Sequence, residues 1–361
     1  MKSSIVCKLH VAVVCGVLLL IGSPLYANAF SGRIVYVEGT VSLFRSGSEV
    51  ADTGIGSPVH PEDMLITGSN GFIELEIQYP DSSSARITID PESSFRFSSD
   101  SGSSDVTVTA QYGSMDFKVN RRGRETAFNV RARGAAMGVR GTEFDILVAP
   151  DDSVLITCVS GSVEVASDQG PRSVARPGMV VEWLSDDGVQ PQEVAVDALD
   201  NFRDDWLSLR ESIFRRGAPV FIQGYSRRYK EAKPKFEEAY RNLAGHRSLL
   251  EQATNQQNQQ GMGATVQART RVSPAAVQMR SILPVFDEVF GQLVVLRRYH
   301  AEGIGHTDIS DSQNSHEFFR EFQSELRSVR QQLSEAYYLM DLFSRLEVMP
   351  GSGIPDSQRP F

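Results

Sequence analysis

Cysteine is scarce, with three in 361 residues. Cys7 and Cys15 fall in the first 29 residues, so Cys158 stands alone in the rest. A single thiol cannot close an internal disulfide, and hydrophobic cores must hold the fold. The run Val154-Leu155-Ile156-Thr157-Cys158-Val159 reads as a strand. Cys158 is therefore expected to be a small buried apolar residue and not a nucleophile. Positive charge is also short: 36 Lys and Arg against 45 Asp and Glu give a formal net charge of −9. That argues against a general nucleic-acid role, which needs basic patches over phosphates. Long apolar runs are missing. The longest, residues 11–21, has eleven residues, short of the roughly 20 that a membrane-spanning helix needs.

Signatures of catalysis are equally sparse. There is no Gly-x-Ser-x-Gly turn and no Gly-x-x-x-x-Gly-Lys loop. His316-Glu317 has no histidine four positions after His316, so the helical zinc-protease pattern is missing. His300, Glu302, His306, Asp308 and Asp311 cluster, but at a spacing that matches no metal motif. A polar loop between helices is expected there, with no metal and no cofactor. Residues 100–105 read as a flexible serine-rich loop and not a calcium loop. The pairs Asp151-Asp152, Asp186-Asp187 and Asp204-Asp205 read as solvated carboxylates in turns or at a helix start. Arg227-Arg228 with Lys230, Lys233 and Lys235 reads as a wet helix face. No catalytic residue is expected, and the chain is expected not to be an enzyme.

What is present begins with an export signal. Lys2 and Lys8 precede or open the apolar run, and Ala27-Asn28-Ala29 follows it. A positive start, an apolar centre and a small-residue end have the layout of a secretory signal peptide. Cleavage before Phe30 is expected to leave 332 residues and a formal charge of −11. The mature protein is expected to be periplasmic or otherwise extracytoplasmic, with no transmembrane segment.

From Gly32 to Val196 the hydrophobic period is two. Ile73, Leu75, Ile77 and Tyr79 alternate with Glu74, Glu76 and Gln78; Phe95 and Phe97, and Phe144, Ile146 and Val148, repeat the pattern. Such alternation turns one strand face to a core and the other to water. Clusters such as Gly68-Ser69-Asn70-Gly71 supply the turns. A weak repeat links Val37-Glu38-Gly39-Thr40-Val41, Gln111-Tyr112-Gly113-Ser114-Met115 and Val159-Ser160-Gly161-Ser162-Val163. Repeated turn-then-strand units suggest stacked coils.

From Asp197 onward the period is close to 3.6. Phe318, Phe322, Leu326, Val329, Leu333, Ala336, Met340 and Phe343 form one apolar stripe, with Glu317, Glu321, Arg327, Arg330 and Glu335 off it. Phe286, Val289, Phe290, Leu293 and Leu296 form a second stripe, for which Ser273-Pro274 reads as a helix start and Pro284 as a kink. Phe236, Ala239, Tyr240, Leu243 and Leu250 suggest another helix, and Phe202, Trp206, Leu209 and Phe214 a first. Single-striped helices must bury their stripes against one another, so a three- or four-helix antiparallel bundle is expected. The expected organisation is a signal peptide over 1–29, a mainly β domain over 30–196, and an all-α bundle over 197–361 with a Gln/Asn/Gly loop near 255–263.

The most specific string is Gly138-Val139-Arg140-Gly141-Thr142-Glu143-Phe144. Its residues Gly138, Val139, Arg140, Gly141, Thr142 and Phe144 are taken as a structural signature. The glycines are expected to permit backbone angles a side chain would oppose, and Arg140 to brace the turn through Glu143, Asp145 or turn carbonyls, with anion binding as the alternative. With its surroundings over residues 32–183, the string resembles the FecR domain. That resemblance implies a β-solenoid or jelly-roll-like module outside the cytoplasmic membrane and no catalysis. In well-known FecR relatives the module senses an outer-membrane transporter, while a cytosolic segment controls a sigma factor. Here only a short stretch precedes the apolar run, and the C-terminal half is helical, so a binding or signal-receiving adaptor is the expected role. Structural attachment to cell wall or carbohydrate is the alternative. The expected partner is a protein of the cell envelope, in the outer or inner membrane, and the helical half is a candidate for self-association.

Overall fold

The computed structural model describes residues 31–79, 82–99, 105–120, 128–167, 172–185, 187–256 and 262–347. The expected signal peptide, most of the serine-rich loop at 100–105, Asp186 and the tail after Glu347 lie outside the described residues, as does most of the loop near 255–263.

Strands come first. They are β1 (Ser31–Glu38), β2 (Val41–Arg45), β3 (Ser48–Glu49), β4 (Pro58–Val59), β5 (Met64–Thr67) and β6 (Phe72–Gln78). Next are β7 (Ser84–Ile89), β8 (Ser94–Ser99), β9 (Val106–Asn120), β10 (Phe128–Ala132), β11 (Ala135–Val139) and β12 (Glu143–Val148). The last of this series are β13 (Val154–Ser160), β14 (Val163–Ser167), β15 (Ser173–Ala175), β16 (Met179–Leu184) and β17 (Gly188–Glu193). They pair in two rows. One row runs β4-β1-β6-β7-β9-β12-β13-β16-β17. The other runs β3-β2-β5-β8-β9-β10-β11-β14-β15. Strand β9 belongs to both: Val106 to Tyr112 pairs in the second row, and Gly113 to Asn120 in the first. The inward residues of the two rows form one core, with Leu75, Ile87 and Phe144 from the first and Phe95, Val108 and Val165 from the second. Period-two alternation thus does what it predicts.

The repeats in the sequence turn out to be corners. At Gly39, Gly113, Gly141 and Gly161 the chain passes from one row to the other, with φ of 65°, 96°, 60° and 80°. Gly113 shows why. A Cβ there would lie 2.0 Å from Ser93 Oγ, and the left-handed angle itself opposes a side chain. Coils wound in one sense would pair in parallel, whereas the pairings among the described strands are antiparallel except β9 with β10. The stacked-coil expectation therefore gives way to a two-layered, sheet-rich half whose shared strand folds over at Gly113.

Helices follow: a short turn Val196–Ala198, then α1 (Leu199–Ala244), α2 (Arg247–Gln256), α3 (Met262–Ala301) and α4 (Ser315–Glu347). A small hairpin, β18 (Asp308–Ser310) and β19 (Gln313–Asn314), joins α3 to α4. The α4 stripe is buried as expected, with Met340 packed at its margin. Two expectations need correction. The segments around Phe202 and Phe236 belong to a single helix that runs through Pro219 and Pro234, and Leu209 faces out. Ser273-Pro274 starts nothing, because α3 continues through Pro274 and Pro284. Pro234, Pro274 and Pro284 are exposed, so the carbonyls they orphan one turn earlier lie toward water. Packing of Phe236, Val272, Met279, Leu283 and Phe286 on the opposite side keeps the helices continuous.

The halves share a core. Phe44, Met64, Ile66 and Tyr112 turn outward from the second row and pack among the helical residues. The start of α1 covers the first row instead, where Trp206 packs with Leu155 and Val180 and donates its indole N–H to Glu182 at 2.9 Å.

Candidate functional site

The signature string forms the corner between β11 and β12. Gly141 has a positive φ of 60°, the left-handed region that favours glycine. Gly138 does not: it lies inside β11, opposite Asn129 and Glu164, with open space where a Cβ would sit. Thr142 is buried, exchanges both backbone bonds with Val119 (2.8 and 3.1 Å), and donates its hydroxyl to the Ser162 carbonyl at 3.2 Å. Phe144 stacks on Phe117 with centroids 4.8 Å apart. Arg140 corrects the expectation. It is exposed and makes no hydrogen bond or ion pair with the described residues. Its supposed partners are engaged elsewhere: Glu143 with Lys118 at 3.3 Å, and Asp145 with Arg203 at 2.9 Å and Thr157 at 2.8 Å. Beside this corner lies an open polar cleft of about 700 Å³, lined by Glu76, Gln78, Ser84, Val119, Asn120 and Gly141 among others.

Across the junction of the two halves several charges are paired. Arg96 meets Glu62 at 2.7 Å, and its guanidinium lies 3.5 Å from the Tyr337 ring centre. Tyr337 donates to Asp287 at 2.6 Å, and Gln111 holds the other Asp287 oxygen. Burial pushes the Glu62 carboxyl up to about 7 against the pull of Arg96. Asp152 is buried against Arg133 at 3.0 Å and accepts from Tyr225, while Asp151 faces Arg210 at 3.6 Å. These acids are therefore not the solvated turn carboxylates the sequence suggests. Arg327 pairs with Glu49 at 2.7 Å and Glu335 with Arg247 at 2.8 Å, so the polar side of α4 also docks. The basic run on α1 is partly absorbed, since Lys233 pairs with Glu325.

Among the described residues, three groups have the chemistry of a site. Asp116 and Asp145 stand opposite each other on β9 and β12. Burial, then the hydrogen bond to Asp145 and its charge, push Asp116 up to about 7, so this pair holds a proton near neutrality. The Cys158 thiol is buried and pushed up to about 11 by that burial, as expected of an inert thiol. His300 and His306 come together as their sequence cluster suggests, but the third member is His316 and not an acid. Glu302 turns to Arg215 at 3.8 Å instead. Burial and the two neighbouring imidazoles push His300 down to about 4. The signal in the sequence was there: His316 opens α4, and a short hairpin returns it to the end of α3.

The family model described as FecR protein matches residues 63–164. Comparison with curated proteins gives no match. Among solved structures, a protein of Parabacteroides distasonis ATCC 8503 provisionally named an anti-sigma factor matches at 17% identity and a TM-score of 0.32, over 38% of this chain and 63% of that one. A second structure of the same description matches at 18% identity and a TM-score of 0.31, over 37% and 61%. This chain thus spans less than two thirds of either. No helix among the described residues is long and apolar enough to cross a membrane. The match falls within the strands from β5 to β14, takes in the whole signature string, and identifies a FecR domain within the β-half of this chain.

Proposed function

We propose that this chain is a non-catalytic, extracytoplasmic binding module that receives a signal from a protein partner in the cell envelope. The FecR domain supports a regulatory role, and the layout of residues 1–29 supports export. The observation that carries the reading is Arg140. It stands exposed on the domain's most specific string, beside an open polar cleft, while the charges around it are paired within the fold. A guanidinium with no partner among the described residues keeps its planar fork of donors for a carboxylate or a row of carbonyls on another molecule. The helices then serve as a rigid back to the sheet, because their charges close on it and leave the corner open.

The test is chemical crosslinking in envelope fractions with the wild-type chain and with Arg140→Glu. A discrete partner captured by the wild type and lost in the variant, at unchanged melting temperature, is the expected result. Equal capture by both would overturn the role of this corner, and a crosslink-free chain would overturn the binding reading.

A further inference from the structure

The joint between α3 and α4 carries a cluster that the signal-receiving reading does not use. His300 lies in the last turn of α3, His306 in the connector, and His316 in the first turn of α4. Each offers a ring nitrogen, and the three nitrogens lie within 4.8 Å of one another. The ring centres are 4.7, 4.6 and 4.2 Å apart. None of the three makes an ion pair with a carboxylate among the described residues. Three imidazoles gathered with no acid to pair them repel once protonated, yet all three can donate a lone pair to one cation.

We propose that His300, His306 and His316 bind a divalent first-row transition metal ion, for which Zn2+ is the test ion. Imidazole nitrogen is a borderline donor that suits zinc, copper and nickel, whereas calcium and magnesium prefer oxygen. The cluster has the graded order of a built site. His300 is buried, packs on the Phe319 ring at 4.7 Å, and lies 3.0 Å from Ser315 Oγ through Nε2. That hydroxyl also accepts the Thr307 N–H at 3.1 Å, which ties the connector to the same point. A hydroxyl on one ring nitrogen is the outer support that metal-binding histidines use to hold their orientation. His306 and His316 are exposed, so their rings can turn. Nitrogens around tetrahedral zinc stand about 3.3 Å apart, given Zn–N distances near 2.0 Å, and rotation of two exposed side chains closes the remaining gap. Three protein ligands leave at least one position at the surface for water or for a donor from another molecule. The ion would clasp the end of α3, the hairpin and the start of α4.

The experiment is calorimetric titration of Zn2+ into the purified, tag-free full chain at neutral pH, with Mg2+ and Ca2+ as comparison ions. One Zn2+ per chain and no response to Mg2+ or Ca2+ are expected. His306→Ala and His316→Ala should each weaken Zn2+ binding by roughly tenfold or more, while His246→Ala, on the turn between α1 and α2, leaves it unchanged. Because His300 is buried and its variant need not fold, the exposed pair carries the test. The double variant should melt like the wild type without metal and lose the Zn2+-induced rise in melting temperature. Absence of Zn2+ binding at tens of micromolar (roughly the range in which three imidazoles should hold it) would overturn the proposal. Wild-type binding by the double variant would overturn it equally.

Discussion

Replacing Arg96 by Met tests whether the two halves are joined by charge as well as by apolar contact. Arg96 and Glu62 are both nearly buried, their side chains 10% and 8% exposed, and the guanidinium also rests on Tyr337 of α4. Methionine fills much of the same volume and removes the charge. Glu62 is then a buried carboxyl with no partner; breaking a buried pair costs about 3–5 kcal/mol where the remaining group is ionised, and less where Glu62 carries its proton. The loss should depend on pH in a defined direction. With Arg96 present the Glu62 carboxyl already sits at about 7, above its ordinary 4.5, and without Arg96 it rises further. Below pH 7 both proteins carry the proton on Glu62, and the loss is constant. Above pH 7 only the variant must keep it, so the loss grows by up to about 1.4 kcal/mol per pH unit. Urea unfolding of both proteins at pH 6 and pH 8 measures this. Arg96→Met/Glu62→Gln should recover most of the loss and flatten its pH dependence. A loss under about 1 kcal/mol at both pH values, or one that shrinks as pH rises, would refute the reasoning.

Gly113→Ala should cost about 2–3 kcal/mol in urea unfolding, through its φ of 96° and the overlap with Ser93. Gly138→Ala, also in the repeat-bearing half, should stay within about 0.5 kcal/mol. Asp116 is raised from its ordinary 3.8 to about 7, so its contribution to stability is complete below 3.8 and lost as pH rises through 7. Asp116→Asn should therefore flatten the fall in melting temperature between pH 4.5 and 8. Cys158 should resist a disulfide thiol reagent at pH 8 until the chain unfolds, because burial holds its thiol at about 11.

Much of the fold could be read from spacing. Alternation in Ile73-Glu74-Leu75-Glu76-Ile77 identified which side of a strand meets the core, and the stripe from Phe318 to Phe343 identified the buried side of α4. The glycine-centred repeats were visible, but their meaning was not. Passing between two layers and winding a coil both need a left-handed residue, and only strand pairing separates them. Proline misled the reading of α3, while α1 was divided because its two apolar stripes were read as separate helices. A proline breaks a helix when its orphaned carbonyl is buried, and whether Pro274 faces water depends on tertiary packing that no local window contains. At the candidate site the string around Gly141 was legible, whereas the freedom of Arg140 was not. Glu143 and Asp145 stand close in sequence, yet Lys118 and Arg203 reach them from β9 and α1. His316 was missed for the opposite reason: it stands ten residues beyond His306, and only the β18–β19 hairpin brings it back.

The central claim is that the FecR corner is where another protein docks. Crosslinking mass spectrometry of intact cells producing the chain addresses it by position. The account predicts crosslinked peptides that join a second envelope protein to the β-half around Asn120 and Arg140. Crosslinks confined to the outer faces of the helices, with that corner untouched, would contradict it.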